Sequence, residues 1–213
     1  MKNIIAFFLC FFTVSTTFAQ KDPKALEVLD AMSNKYQKMD AFRAEFTQKL
    51  INKMENIEES FNGKILVQGD KFQLEASGQV IYNNGTTVWT WLIDDEEVNV
   101  SHNDPEEGGF ELSTIYNMYK EGYKYLYLEQ VSEGGQAVDV VDLVPEDHSQ
   151  SIFKIRMKIA QKNHELVAWE IFDRSGINYE YIIDKFESNP TVAAGSFEFN
   201  TSAHPDVEVV DLR

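Results

Sequence analysis

The amino-acid sequence predicts a mainly β fold, in which about eleven antiparallel strands curl into a barrel or half-barrel and two helices cover it. Apolar and polar residues alternate with the period of a half-buried strand from Phe42 onward. Turn signals interrupt this alternation about every ten residues, as hairpin connections do. A twisted sheet of about ten strands closes, splits or exposes its edges, so a meander of this length is expected to curl.

Composition and charge limit the class of protein. The chain has 213 residues, of which 43% are apolar, and this is enough for one sizeable core. No Pro-rich or Gly/Ser-rich stretch separates two halves, which favours a single domain. The formal charge of -16 would repel phosphate backbones and anionic headgroups, so we expect binding neither to nucleic acid nor to acidic membranes.

The N-terminus has the pattern of a signal peptide. Lys2 precedes an unbroken apolar run, Ile4 to Phe12, and Thr17-Phe18-Ala19 offers small residues for cleavage after Ala19. This run is shorter than the roughly 20 residues that a membrane span needs. Its Cys10 is the only cysteine in the chain. We therefore expect residues 1–19 to be removed and residues 20–213 to form one exported, cysteine-free domain.

One helix opens the expected mature chain. Asp22 is a suitable N-cap and Pro23 suits the first helical position. Apolar residues then recur at three- and four-residue spacing, at Ala25, Leu26, Leu29, Met32, Tyr36 and Met39. This spacing predicts an amphipathic helix.

The strand pattern begins directly after this helix. The first strand carries Phe42, Ala44, Phe46 and Leu50 on one face. Further strands are predicted at about 57–67, 71–76, 79–83, 86–93, 96–101, 124–131, 136–144, 151–159, 166–173 and 177–186.

A second helix is predicted between the two groups of strands. Leu112, Ile115, Tyr116 and Tyr119 fall on one helical face, and Gly122 ends the segment. We expect this segment to act as a lid that covers a cavity and moves when the protein is loaded.

Catalytic and metal-binding motifs are weak. The four histidines stand far apart, and no serine lies in a Gly-x-Ser-x-Gly turn. His102 lies near Asp104 and Glu106 but lacks a paired histidine at helical spacing. The acidic runs fit solvated turns better than a calcium loop. We therefore expect no enzyme, no metal and no cofactor.

The aromatic excess has two interpretations that periodicity alone does not separate. Phe and Trp in strands commonly form plain core, whereas a curled sheet under a helix also encloses apolar cavities. If there is a cavity, alternation places eight side chains on its face: Phe42, Phe46, Ile65, Val67, Phe72, Leu74, Trp89 and Trp91.

Several segments, in order, resemble the LolA family of periplasmic lipoprotein carriers. DAFRAEFTQK at 40–49 is similar to the family's Phe-x-Ala-x-Phe-x-Gln segment, and GKILVQGDKFQL at 63–74 to its second and third strands. VIYNNGTTVW at 80–89 resembles its apolar pair, turn and Trp. Phe197-Glu198-Phe199 and PDVEVVD at 205–211 are similar to its C-terminal segment.

The resemblance implies an unclosed barrel of about eleven strands whose helices cover a cavity for acyl chains. It also implies a monomer in the periplasm that receives acylated lipoproteins from an inner-membrane ABC-type releasing complex and passes them to an outer-membrane acceptor. One departure concerns the lid. The family often has an arginine before the Phe of its third strand that ties the lid to the barrel, whereas this chain has Gln68-Gly69-Asp70.

Three other functions stay open at this point. The same fold serves RseB-type stress sensors and mycobacterial lipid-carrier lipoproteins, so the chain is alternatively a carrier or sensor of another lipid. The single domain and the lack of a lipid-attachment cysteine disfavour these two forms. An envelope enzyme of unknown type, or a structural envelope protein with a solid core, are the remaining alternatives.

Overall fold

The computed structural model describes residues 22–104 and 115–213. One α-helix, α1 (Pro23–Gln37), precedes a series of strands. The strands are β1 (Phe42–Asn52), β2 (Ile57–Gln68), β3 (Lys71–Ala76), β4 (Gln79–Asn83), β5 (Thr87–Leu92), β6 (Glu97–His102), β7 (Tyr123–Glu133), β8 (Gln136–Pro145), β9 (Ile152–Ala160), β10 (Leu166–Asp173), β11 (Ile177–Ser188) and β12 (Glu208–Asp211). Two short 3-10 helices, Met118–Lys120 and Thr201–Ala203, lie in connections.

All these strands belong to one sheet. Their order is β12-β6-β5-β4-β3-β2-β1-β11-β10-β9-β8-β7, which leaves β7 and β12 as the two edges. Neighbouring strands are antiparallel except β12 and β6, which run parallel. The predicted mainly β, unclosed sheet is confirmed. Strand β12 was not predicted from the sequence.

The N-terminal helix begins as its cap predicts. The Asp22 carboxylate accepts hydrogen bonds from the backbone N–H groups of Lys24 and Ala25, and Pro23 occupies the first turn. The buried face consists of Ala25, Val28, Leu29, Met32, Ser33 and Tyr36. Leu26, which the apolar spacing placed on this face, is instead 36% exposed, and Val28 is among the buried residues.

The second predicted helix is corrected in the part that the structure describes. Residues 115–117 form a turn, and only Met118–Lys120 follow, as one turn of 3-10 helix. Leu112 lies outside the described residues. Apolar spacing of three and four residues also suits a turn whose side chains pack on neighbouring elements. We call residues 115–120 the cover segment.

Two layers make the main core. Helix α1 and the cover segment pack on one face of the sheet, which we call the cavity face, against β1, β2 and β8 to β11. The opposite face of β4 and β5 is covered by the C-terminal segment, through Phe199. Within the described ranges, no helix is long and apolar enough to cross a membrane.

Candidate functional site

A small apolar cavity lies between the two layers. Its walls come from α1, the cover segment and the strands β1, β2, β10 and β11. Its volume is about 30 Å³. A space of this size holds no more than one or two water molecules. The cavity is therefore nearly filled by its own lining, and any larger ligand has to displace part of that lining.

Five side chains predicted from the sequence line this cavity. Phe42, Phe46 and Ile65 form part of the sheet wall, and Ile115 and Tyr116 of the cover segment close the other side. Phe46 lies over Gly63, its partner on β2, so closely that a Cβ at position 63 would overlap the phenyl ring. Glycine at 63 therefore makes room for the ring at the bottom of the cavity.

Three further predicted residues lie on the cavity face beyond the cavity itself. Strand register places Phe72 beside Val67 and Leu74 beside Ile65, so all of them share one face. Val67 is buried, and Phe72 and Leu74 are half-buried against the same core. They extend the apolar surface toward β3.

The two predicted tryptophans lie on the other face of the sheet. Ile81 of β4 pairs with Leu74 and is on the cavity face. Trp89 and Trp91 pair with its neighbours Tyr82 and Val80, which point the opposite way. The placement of Trp89 and Trp91 in the cavity is therefore wrong. Trp91 packs on the C-terminal segment: its ring centroid lies 5.6 Å from that of Phe199 and 4.5 Å from that of His204.

Six lining residues were not predicted from the sequence. They are Tyr36, Ala44, Leu166, Trp169, Ile183 and Phe186. A β-bulge on β11 explains the last two: the register shifts between Glu45 and Phe46 of β1, and Asp184 is left unpaired. Ile183 and Phe186, three residues apart, thereby reach the same face. Two of this set had a signal in the sequence: the position of Tyr36 on the helical stripe, and the position of Ala44 on the same strand face as Phe42 and Phe46.

An aromatic cluster joins α1, the sheet and the cover segment at the cavity. The ring of Tyr36 stacks on Tyr116 with centroids 5.0 Å apart and meets Phe42 and Phe186 edge-on at 5.4 and 5.6 Å. Burial raises the pKa of the Tyr36 hydroxyl well above its ordinary value. Burial, and then the negative charge of Asp70, raise the pKa of Tyr116. Both hydroxyls are therefore neutral near pH 7.

Helix α1 is fixed to the sheet at both ends. At its start, Asp22 donates its backbone N–H to the Tyr125 carbonyl at 3.3 Å and accepts the Tyr127 N–H on its carboxylate at 3.0 Å. At its end, Lys35 forms an ion pair with Glu165 at 2.8 Å. Tyr36 accepts the backbone N–H of Leu166 at 3.2 Å. The helix is thus tied to β7 and to the start of β10.

The cover segment is held to α1 by side-chain hydrogen bonds, which we call the latch. The Asn117 amide oxygen accepts from Ser33 Oγ at 2.7 Å and from Gln37 Nε2 at 2.8 Å. The Tyr119 hydroxyl donates to Asp30 at 2.6 Å. Burial and this bond raise the pKa of Tyr119, which keeps the phenol protonated as donor. The latch ties the cover segment to α1 by polar contacts outside the cavity lining.

The β2–β3 turn, where the family resemblance leads one to expect an arginine, faces the cover segment. Asp70 of this turn is near enough to Tyr116 to affect its pKa. Gly69 has a φ of 58°, a left-handed conformation that disfavours a larger residue. No arginine is present in this turn, and among the described residues the latch supplies side-chain hydrogen bonds that hold the cover segment.

No metal site is formed in residues 22–104 and 115–213: no three His, Asp or Glu side chains there are placed to share an ion. Glu106, which the sequence analysis considered beside His102 and Asp104, lies outside the described residues.

Comparison with known proteins gives one consistent result. Residues 37–200 match the family model described as outer membrane lipoprotein carrier protein LolA. An outer-membrane lipoprotein carrier protein of Neisseria meningitidis serogroup C is 27% identical over 202 residues, covering 93% of each chain. One from Legionella pneumophila is 24% identical and covers 85% of this chain and 88% of its own length.

Solved structures share the fold. An uncharacterized conserved protein from Thermus thermophilus superposes with a TM-score of 0.61 at 13% identity, covering 88% of this chain and 99% of its own. The Mycobacterium tuberculosis lipoprotein LppX gives 0.52 at 15% identity, covering 81% and 98%. At these identities the likeness concerns the fold alone.

Proposed function

The chain belongs to the outer membrane lipoprotein carrier protein LolA family, a family of carriers rather than enzymes, and from that membership we propose that it binds the acyl chains of lipoproteins in its cavity. In this proposal the exported protein works in the periplasm and moves lipoproteins from the inner to the outer membrane. Its partners are an inner-membrane ABC-type releasing complex and an outer-membrane acceptor.

The observation that carries the proposal is the small apolar cavity under a cover segment held by a polar latch. Burial of acyl chains contributes about 0.8 kcal/mol per methylene, so full enclosure of a multi-acylated anchor would amount to tens of kcal/mol. A carrier with such affinity would not release its cargo. The aromatic cluster that fills this cavity has to move before a chain enters, and that cost offsets part of the gain.

We propose that the cover segment, and not α1, is the part that moves. Helix α1 is tied to the sheet at both ends, whereas the latch connects the cover segment to α1 through side chains only. Withdrawal of the cover segment removes Ile115 and Tyr116 from the cavity and exposes Phe42 and Tyr36 to the incoming chain. With Leu112 and Tyr119, these cover residues make up the lid of the proposal.

Purification of the exported protein, followed by native mass spectrometry and lipid extraction, tests the function. Bound acylated protein or its lipid anchor supports a lipoprotein carrier. Copurification of a free lipid without protein would favour a carrier or sensor of another lipid. A protein that neither copurifies with lipid nor binds a fluorescent acyl probe would contradict acyl binding altogether.

A further inference from the structure

Trp169, one of the residues that line the cavity, carries an unpaired hydrogen-bond donor. The residue lies on β10, lines the cavity and is only 4% exposed. Its indole Nε1 is buried and has no hydrogen-bond partner in the described part of the chain. A buried donor without a partner costs roughly 1–3 kcal/mol, and buried polar groups in native proteins are nearly always paired. This donor therefore calls for a physical explanation.

The position of the indole is fixed by its neighbours. Its ring stacks on Tyr181 with centroids 4.7 Å apart and planes 6° from parallel. Trp169 pairs with Tyr181 on β11 and with Met157 on β9, so the strand that carries it is held on both sides. In a parallel stack the N–H lies in the ring plane, so it does not point at the Tyr181 ring. Stacking thus orients the donor without satisfying it.

No acceptor of the described residues pairs with the indole N–H. The only other side-chain polar atoms among the residues that line the cavity are the hydroxyls of Tyr36 and Tyr116. Tyr36 already takes the N–H of Leu166. An indole N–H is a donor only, so whatever satisfies it must present an acceptor oxygen. A ligand suited to this lining is apolar and carries an acceptor oxygen.

We propose that the Trp169 indole N–H donates a hydrogen bond to the carbonyl oxygen of a bound acyl group. This assignment rests on the proposed function and narrows the ligand class to acyl chains joined through an ester or an amide. The carbonyl group of such a linkage enters the cavity together with the chain. Chains joined through an ether lack this carbonyl. The cavity therefore selects acyl over alkyl lipids through a single oriented donor.

Binding of a matched pair of lipids tests the assignment. The probes are a short-chain diacyl glycerophosphocholine below its micelle concentration and its dialkyl ether analogue of equal chain length, with affinities measured by calorimetry. One net hydrogen bond should make the wild-type protein prefer the ester roughly three- to tenfold. Trp169→Phe removes the donor while keeping an aromatic ring, and the preference should fall to about one.

Trp91→Phe is the matched control. Its indole nitrogen is also buried without a partner in the described residues, but it lies on the opposite face of the sheet. This variant should keep the wild-type preference. Equal affinity of the wild-type protein for both lipids, or an unchanged preference in Trp169→Phe, would overturn the assignment and leave acyl binding intact. Failure of both lipids to bind the wild-type protein would overturn the proposed function as well.

A spectroscopic test needs no substitution at Trp169. The chain has three tryptophans and hence three indole N–H resonances, of which Trp89→Phe and Trp91→Phe identify two. The remaining resonance, from Trp169, should move downfield with the diacyl lipid and respond less to the ether. Identical responses to the two lipids would overturn the proposal, even if Trp169→Phe fails to fold.

Discussion

Removing the central acceptor of the latch should speed cargo exchange. In Asn117→Ala the cover segment loses the oxygen that accepts from Ser33 and Gln37. Gln37 is exposed and still donates to Ser33 Oγ at 3.0 Å, but the Ser33 O–H, which is 1% exposed, loses its acceptor while the cover segment stays closed. The closed state is therefore weakened chiefly through the buried Ser33 hydroxyl.

The size of this effect follows from the burial of Ser33. The Ser33 oxygen still accepts from Gln37, so the cost is that of a buried O–H donor left without an acceptor, about 1–3 kcal/mol. If the open state leaves the hydroxyl solvated, the closing equilibrium shifts by about 5- to 150-fold toward open. Release of a fluorescent acyl probe should accelerate by a factor within this range. Hydrogen exchange of residues 115–120 should accelerate with it, while exchange in α1 should not, because α1 keeps its contacts with the sheet.

Stopped-flow release of the probe and hydrogen exchange by mass spectrometry measure the two effects. Asn163→Ala is a suitable control, since Asn163 is exposed and bonds only locally, to the Glu165 N–H. The reasoning is refuted if Asn117→Ala releases the probe at the rate of Asn163→Ala. It is also refuted if exchange rises equally in α1, because the helix would then move together with the cover segment.

Three further changes have defined outcomes. Gly63→Ala places a Cβ against the Phe46 ring and should lower the free energy of unfolding, measured in urea, by about 1–3 kcal/mol. Ser60→Ala, at an exposed position, should change this free energy little. Equal stabilities of the two variants would show that the Phe46 ring moves aside at no cost. Asp70→Arg replaces an anion near Tyr116 by a cation that is able to interact with the tyrosine ring. Release of the acyl probe should slow by about two- to fivefold. Faster release would contradict the idea that this turn helps to hold the cover segment over the cavity. Burial raises the pKa of Tyr181 to about 12, above its ordinary value of 10. The stability that this shift contributes is therefore complete below pH 10 and is lost as pH rises toward 12. Urea unfolding across this range should show the loss, and constant stability to pH 12 would contradict burial of this phenol.

The fold was predictable because most of its elements follow local periodicity. Asp22 and Pro23 mark the start of α1, and alternation with turn signals marks β1 to β11. Strand β12 has four residues, of which only Val210 is not exposed, and it pairs in parallel with a strand far away in sequence. No local pattern reports such a pairing. The expected second helix was wrong in its described part because tertiary contacts, not helical hydrogen bonds, account for its apolar spacing.

The site was predictable where one face of a strand is apolar and uninterrupted. Phe42, Phe46 and Ile65 line the cavity as alternation predicts. In β5 both faces are apolar because the C-terminal segment covers the outer one, so alternation did not assign a face to Trp91. Asn117 and Ser33 are 84 positions apart, and polar residues at that separation give no periodic signal. The latch could therefore be identified only from the structure.

The most direct test of the central claim is whether the protein keeps an acylated lipoprotein in solution. Detergent-solubilised lipoprotein would be diluted into detergent-free buffer with the protein, and the soluble fraction analysed by size-exclusion chromatography with mass detection. The account predicts a soluble one-to-one complex that a non-acylated form of the same lipoprotein does not make. Aggregation of the lipoprotein in the presence of the folded protein, or equal binding of the non-acylated form, would contradict it.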